Sequence, residues 1–403
     1  MSEWERVRLA EVITLDVDVV PITATASYDI VGVLNRGRGL LLRDPIAGHE
    51  TSYKTLNRIR PNQIVYSRLK AFEGAITVVP NDLGEVYASQ EFPTFTCGER
   101  LLPEYFRLLT STKRLWHHLQ ALSTGMGGRR ERVKPADFLT VEVALPSLPE
   151  QCRVVDMMAA VDAQIEALEA ELKHCSALLA GLQADWLSES EGMRLAKLDE
   201  IAQIDVGYAY KSAQFSDSSQ GIRLLRGDNI APGRLQWDGA KYWPTHTPDD
   251  DRYQLQAGDV VVGMDRTWIK AGLRVATVRE QDLPCLLVQR VARMRAKPGN
   301  NQRLIEFLVN SPAFKQMILS HQTGTSVPHI SGKQIASFEV WVPTGEPSQR
   351  RLGNVLSQVR ESEDSVLAEL SRLRTFRNTV LASLLNQEID IPEAYDSLLK
   401  EVS

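Results

Sequence analysis

The sequence is poor in the residues from which self-sufficient sites are built. Its 403 residues hold four cysteines, Cys97, Cys152, Cys175 and Cys285, with no CxxC spacing. Neither structural zinc nor a disulfide framework is expected, and this usage suits a reducing, cytoplasmic setting. No apolar run approaches the roughly 18–20 residues that span a bilayer, and the opening MSEWERVRLAEV is charged throughout, unlike a secretory signal. The phosphate loop GxxxxGK[ST] is missing. GTSVPHISGK has the wrong spacing, and GMGGRR (125–130) lacks the third glycine of GxGxxG and follows a helical stretch. The seven histidines are scattered, with no HExxH and no HxE…CxxC, and His117 and His118 read as surface or packing positions. Asp249–Asp250–Asp251 reads as a helix N-terminus or solvated turn, with no lysine-plus-carboxylate nuclease cluster around it. The Asn/Asp-Pro-Pro-aromatic stretch of amino-methyltransferases is also missing. No catalytic residue, metal or cofactor is expected on this chain.

The net charge of −5 is unevenly spread. Residues 149–192 carry 2 Lys+Arg against 9 Asp+Glu, and 347–403 carry 7 against 9, whereas 1–148 carry 18 against 17 and 193–346 carry 19 against 16. The acidity lies in two narrow segments, and the two large ones are free to present a basic face.

Two phrases organise the chain. VEVALPSLPEQ (141–151) is echoed by FEVWVPTGEPSQ (338–349), each a short strand closed by proline, a turn and a glutamine. The glutamine falls at a helix start, where it is expected to cap. After the first phrase apolar residues recur at Val154, Met158, Val161, Ile165, Leu168, Leu172, Cys175, Leu179, Leu182 and Trp186, the 4–3 spacing of a coiled-coil seam. After the second, the ladder returns 198 residues later at Leu352, Leu356, Val359, Glu363, Val366, Leu370, Leu373, Arg377, Val380 and Leu384. Ten positions at one offset indicate an internal duplication. Its two polar members, Glu363 and Arg377, either snorkel to solvent or set register and meet a partner. Such helices must bury their seams. Antiparallel pairing within the chain is the simplest solution, and pairing between two chains is the rival.

The intervening segments match more loosely. VRLAEVITLD (7–16) parallels MRLAKLDEIAQID (193–205), and IVYSRLKAFEGAITVVP (64–80) parallels VVVGMDRTWIKAGLRVATV (260–278). Each reads as short strands with Gly and Pro punctuation, then helices, then a Gly-rich loop. The expected class is α+β, two β-rich domains alternating with two long helices. Its boundaries are 1–149, 150–190 (helix), 191–348, 349–387 (helix) and a tail over 388–403.

The chemistry that remains is basic, amide and hydroxyl side chains on loops, suited to phosphates and base edges. In the first domain these are Tyr53, Lys54, Arg58, Arg60, Ser67, Arg68 and Lys70. In the second they are Tyr210, Lys211, Ser212, Arg223, Arg226, Asn229, Arg266, Trp268 and Lys270.

These residues resemble the specificity subunits of type I restriction–modification systems, over essentially the whole chain. The resemblance rests on the duplicated plan and on GYAYKSAQF (207–215), TGTSVPHISGKQIASFEVWVP (323–343), VALPSLPEQ (143–151) and YSRLKAFEGAITVVP with ASQEFPTF (88–95). EPSQRR (346–351) departs from the usual PEQ-like junction. The resemblance implies two target recognition domains, each reading half of an asymmetric split site in double-stranded DNA. It further implies helices paired as an antiparallel coiled coil that dock two methyltransferase subunits, with a motor-nuclease subunit able to join. S-adenosylmethionine and ATP with magnesium would belong to those partners. Two other readings stand beside it: a protein-interaction scaffold that does not bind DNA, and a self-sufficient methyltransferase or nuclease.

Overall fold

The computed structural model describes residues 4–396 except 124–131, 187, 245–246, 271, 321–328 and 393, and the side chains of Gln183, Asp185 and Trp186 are also left undescribed. The helices are α1 (Pro103–Thr110), α2 (Lys113–Leu122), α3 (Pro135–Phe138) and the long α4 (Leu148–Trp186), then α5 (Leu198–Ile201), α6 (Gln302–Val309), α7 (Pro312–Ser320), α8 (Gly332–Ala336) and the long α9 (Glu346–Leu385). The chain divides into two compact units, Met1–Leu168 with Glu369–Ser403, and Glu169–Ala368. Each unit therefore holds one β-rich segment and one part of each long helix.

In the first unit a four-stranded antiparallel sheet runs in the order Ile13–Leu15, Thr94–Cys97, Ile64–Tyr66, Ile76–Val78. Its central strand, Ile-Val-Tyr, is buried at every residue, as expected of a strand covered on both faces. Tyr66, Phe95 and Phe138 stack and tilt against one another with centroids 4.9–6.0 Å apart. Helix α1 starts with proline in its first turn, where the missing N–H costs nothing. The Thr112 hydroxyl accepts from the Leu115 amide and starts α2. A second sheet of three antiparallel strands, Val86–Ala88, Thr55–Ile59 and Asp18–Pro21, lies beyond the first.

The second unit repeats the four-stranded order as Ala202–Val206, Val291–Ala296, Val260–Gly263, Val275–Thr277. Its three-stranded sheet departs from the first. Lys241–Trp243 pairs antiparallel with Ile222–Leu225, but Cys285–Leu287 joins that strand in parallel.

The echoed phrases have a shared structural role. Strand Glu142–Leu145 pairs antiparallel with Glu5–Arg8, and Glu339–Pro343 pairs with Met193–Lys197, so the opening and closing phrases of each segment are strand partners. The glutamine departs from expectation in one respect: it does not cap its own helix. Gln151, fully buried, accepts from the Leu102 amide at the N-cap of α1 (2.9 Å) and donates to the carbonyls of Arg100 (2.9 Å) and Pro146 (3.0 Å). Gln349, likewise buried, accepts from the Asn301 amide at the N-cap of α6 (3.1 Å) and donates to Asn300 Oδ1 (3.1 Å) and the Pro343 carbonyl (3.2 Å). Each glutamine satisfies buried backbone groups where the last strand, the long helix and the first domain helix converge. At the start of α4 the cap is made by neighbours, with the Ser147 amide and hydroxyl donating to Glu150.

The two long helices pack together. Every described seam side chain is buried or half-buried. In the first unit Val154 and Met158 of α4 share a core with Leu381 and Leu384 of α9. In the second, Leu179 shares one with Leu352 and Leu356. The polar seam residues bridge the pair: Arg377 makes a two-bond pair with Asp162 within the first unit, and Glu363 accepts from Ser176 within the second. Within the second unit, Ser176 meets Glu363, while Leu179, further along α4, shares a core with Leu352 and Leu356, earlier on α9. The pairing is therefore antiparallel.

Candidate nucleic-acid interface

In the first unit most of the basic candidates are oriented by carboxylates from neighbouring strands. Arg58 sits opposite Asp18 in register and bonds it (2.8 Å), with Glu85 at 3.3 Å. The bond to Asp18 above all holds its guanidinium more firmly protonated than usual. Arg60, just past the strand and exposed, bonds Asp16 at 2.6 Å. Asp16 also accepts from the Thr96 hydroxyl (2.6 Å) and Gln63 (3.1 Å). The Thr96 bond leads in holding its carboxyl below the ordinary range, outweighing partial burial. Lys54, Tyr53 and Lys70 are exposed, Arg68 is half-buried, and Ser67 is buried within the turn that leaves the central strand. The structure brings Ser67, Arg68 and Lys70 together on that turn, where the Lys70 amide donates to the Ser67 carbonyl.

In the second unit Arg223 lies over the Trp237 ring (4.8 Å) and donates to the carbonyls of Gln281 and Leu283. Asn229 is buried and holds the Arg226 amide and the Gln236 carbonyl, while Arg226 is half-buried. Lys211, Ser212, Arg266 and Lys270 are exposed. Trp268, half-buried, carries the Lys315 ammonium over its ring at 4.0 Å. Tyr210 is buried and donates to Asp250 at 2.8 Å; burial, then that bond, pushes its hydroxyl well up. Of the two expectations for Asp249–Asp250–Asp251 the helix N-terminus holds: the run lies in the first turn of the 3-10 helix Pro248–Tyr253, where Asp250 is buried and accepts from the Thr247 amide and hydroxyl.

Two candidate groups of this unit meet through a residue that pattern reading passed over. Arg274 donates to Ile230 O (3.1 Å), Gly227 O and Asp265 O (3.4 Å) and faces Asp228 at 3.5 Å, tying the Arg226–Asn229 turn to the Asp265–Arg266 turn. Also missed were Asp265, Arg290 and His329 here, and Asp16, Glu91 and Arg132 in the first unit. These partners lie 25–80 residues from the side chains they hold, which no local spacing reveals. The available signal was the duplication, since Asp265 lies inside a phrase that the two segments share. The Gly-rich segments between the helices and the final strands (124–131 and 321–328), which contain GMGGRR and most of TGTSVPH, lie outside the described residues. Among the described residues no group of three or more His, Cys, Asp or Glu is placed to hold a metal, and no helix is long and apolar enough to cross a membrane.

No family model matches the chain. Among curated proteins, it is 37% identical over 148 residues to the specificity subunit of the type I restriction enzyme EcoAI of Escherichia coli, covering 36% of this chain and 24% of that one. It is 20% identical over 272 residues to the MjaVIII specificity subunit of Methanocaldococcus jannaschii, covering 63% of each chain. The chain thus spans less than two thirds of the length of either relative. Among solved structures, it superposes with a TM-score of 0.57 at 17% identity on a chain from a study of complex assembly and conformational transition of the type I R-M system, covering 96% of this chain and 98% of that one. The S subunit of a type I restriction-modification system from M. genitalium gives a TM-score of 0.56 at 14% identity, covering 94% and 96%. The structural likenesses establish the shared fold. The sequence relationships make this chain similar, over part of its length, to the specificity subunits of type I restriction enzymes.

Proposed function

We propose that this chain is the sequence-reading, non-catalytic subunit of a type I restriction-modification complex. Each β-rich segment reads one half of a bipartite, asymmetric site in double-stranded DNA. The observation that carries this reading is a repeated scaffold with unlike turns: the same four-stranded order and the same buried glutamine recur in both units, while the basic and amide side chains on the exposed turns differ. Equal scaffolds deliver equal geometry to the DNA, and unlike side chains make the two half-sites unlike. Phosphate contacts would fix register on the duplex, and each good bidentate base contact would be worth about 1–3 kcal/mol of discrimination.

The reading assigns α4 and α9 to docking two methyltransferase subunits. S-adenosylmethionine, and ATP with magnesium where the system restricts, stay on partner subunits, including a motor-nuclease subunit when one joins. A methyltransferase must extrude its target base, so each partner has to grip DNA beside a reader. The experiment is methylome sequencing of cells with and without this chain. The expected result is one split, asymmetric motif that disappears with it; an unchanged methylome would overturn the reading. In an interaction scaffold, binding to partners would persist without any salt-dependent affinity for DNA. A four-residue insertion in α4 should shift the preferred half-site spacing, and unchanged spacing would reject helix length as its determinant.

A further inference from the structure

One corner recurs in both units and differs in its chemistry. In the second unit the Ile330 amide donates to Met264 O (2.9 Å) and the Met264 amide to Arg290 O (2.9 Å). In the first, the Val133 amide donates to Arg68 O (3.1 Å) and the Arg68 amide to Glu91 O (2.9 Å). The two bond pairs match, so Arg68, Glu91 and Arg132 occupy the corner that Met264, Arg290 and His329 occupy in the other unit. The first corner holds an Arg132–Glu91 pair at 2.9 Å. The second places Asp265 between Arg290 (2.7 Å) and His329 (2.6 Å).

Two arginines here stand on left-handed backbone, Arg266 with φ 47° and Arg290 with φ 65°. Side chains other than glycine rarely adopt that region, and such conformations gather where geometry serves binding. Both arginines are exposed, and the Arg290 side chain is 68% accessible although one nitrogen already holds Asp265. Arg274 is taken up by three carbonyls and Asp228, which leaves Arg290, held by Asp265, and Arg266, next to Asp265 in sequence, as the exposed guanidiniums of this corner. Burial opposes the charge on Asp265, yet hydrogen bonds from His329 and Arg290 outweigh it and keep the carboxyl below its ordinary range. A guanidinium steadied through one nitrogen keeps further donors in a fixed fork, the geometry that fits a phosphate.

We propose that Arg266 and Arg290 grip a backbone phosphate of the DNA read by the second unit, with Asp265 as the residue that positions Arg290. This rests on the DNA-reading function proposed above. In the equivalent corner of the first unit Arg132, steadied by Glu91, serves the same purpose.

The test measures binding of the full chain, assembled with its methyltransferase subunits, to a short random-sequence duplex over a salt series. Arg266→Gly relieves the backbone and removes the charge. Its melting temperature should hold or rise, while affinity falls several-fold and the slope of log K against log salt drops by about one. Asp265→Asn separates positioning from simple charge. Deleting a negative charge beside a polyanion strengthens binding if Asp265 acts only electrostatically, and weakens it if Asp265 positions Arg290. Wild-type affinity and slope in Arg266→Gly would overturn the clamp, and tighter binding by Asp265→Asn would overturn its positioning role. Absence of DNA binding by the wild-type assembly would instead overturn the functional reading beneath it. If Asp265→Asn fails to fold, Arg266→Gly decides the matter alone.

Discussion

The two β-rich segments agree where their residues face inward and part where they face outward. The four-stranded sheets share one strand order, whereas the three-stranded sheets do not: one is wholly antiparallel and the other gains a parallel strand. The shared corner has even exchanged its charges, Glu91 in one unit standing where Arg290 stands in the other. A close-packed core tolerates little change in volume, while an exposed turn tolerates almost any side chain. Duplication followed by unequal change on the surface accounts for both facts.

The largest effect that tests this equivalence is expected at the glutamines. Gln151→Leu strands the Leu102 amide and two backbone carbonyls, and Gln349→Leu strands the Asn301 amide, the Pro343 carbonyl and the Asn300 side-chain oxygen. Each should cost about 2–4 kcal/mol in urea unfolding. Closely similar losses would sharpen the comparison, and a large loss in one unit alone would break it.

The polar bridges between helices come next. Arg377→Leu leaves Asp162, 39% exposed, without its two-bond partner and should cost about 1–2 kcal/mol. A double-mutant cycle with Asp162→Ala then reads the coupling itself. Glu363→Leu, at the corresponding bridge of the other unit, loses only a hydroxyl partner and should cost less.

Acid provides a comparison of the units within one sample. Asp16 and Asp265 both have folded-state pKa values below the ordinary 3.8. Each therefore contributes stability that is present above 3.8 and is lost as pH falls through its folded value. Asp16→Asn and Asp265→Asn should each flatten the acid limb of the melting temperature against pH. A limb unchanged in either variant would deny that aspartate its proposed partners' influence.

The smallest structural effect is expected at the exposed lysines. Lys70→Gln and Lys270→Gln should leave the melting temperature within about 1 °C, as surface substitutions do. Each should lower the salt slope of DNA binding by up to about one if its turn reaches phosphate. A change in only one of them would show which unit leans on that turn.

Legibility followed the same division. The seam from Val154 to Leu384 was readable because helix burial repeats at fixed spacing, and the 198-residue offset made the repeat plain. The opening and closing phrases could be matched to each other across the repeat, but not their pairing as strands. Nothing in Glu142–Leu145 names Glu5–Arg8 as its neighbour. The glutamines were noticed, and their position suggested a cap. Their true targets lie near residues 100 and 300, brought close only by folding. Among the candidate interface residues, Arg58 and Arg60 were found by type. That Asp18 and Asp16 hold them was invisible, because a strand partner some forty residues away leaves no local trace. Ser67 and Asn229 show the converse: residues chosen for their chemistry prove to be buried.

The pairing of first strand with last has a further consequence. Neighbouring strands lie about 5 Å apart, so each β-rich segment enters and leaves through almost the same point. To a long helix, the roughly 140 residues between those strands amount to an insertion of nearly zero span. Such a segment can be exchanged whole for another with matching end strands and a matching glutamine, leaving the helix with the same starting point. It is also where a circular permutation should succeed, since new chain ends placed in an exposed turn break no strand pairing. A lineage able to recombine at these two phrases could replace one β-rich segment in one step, without redesigning the frame that carries it.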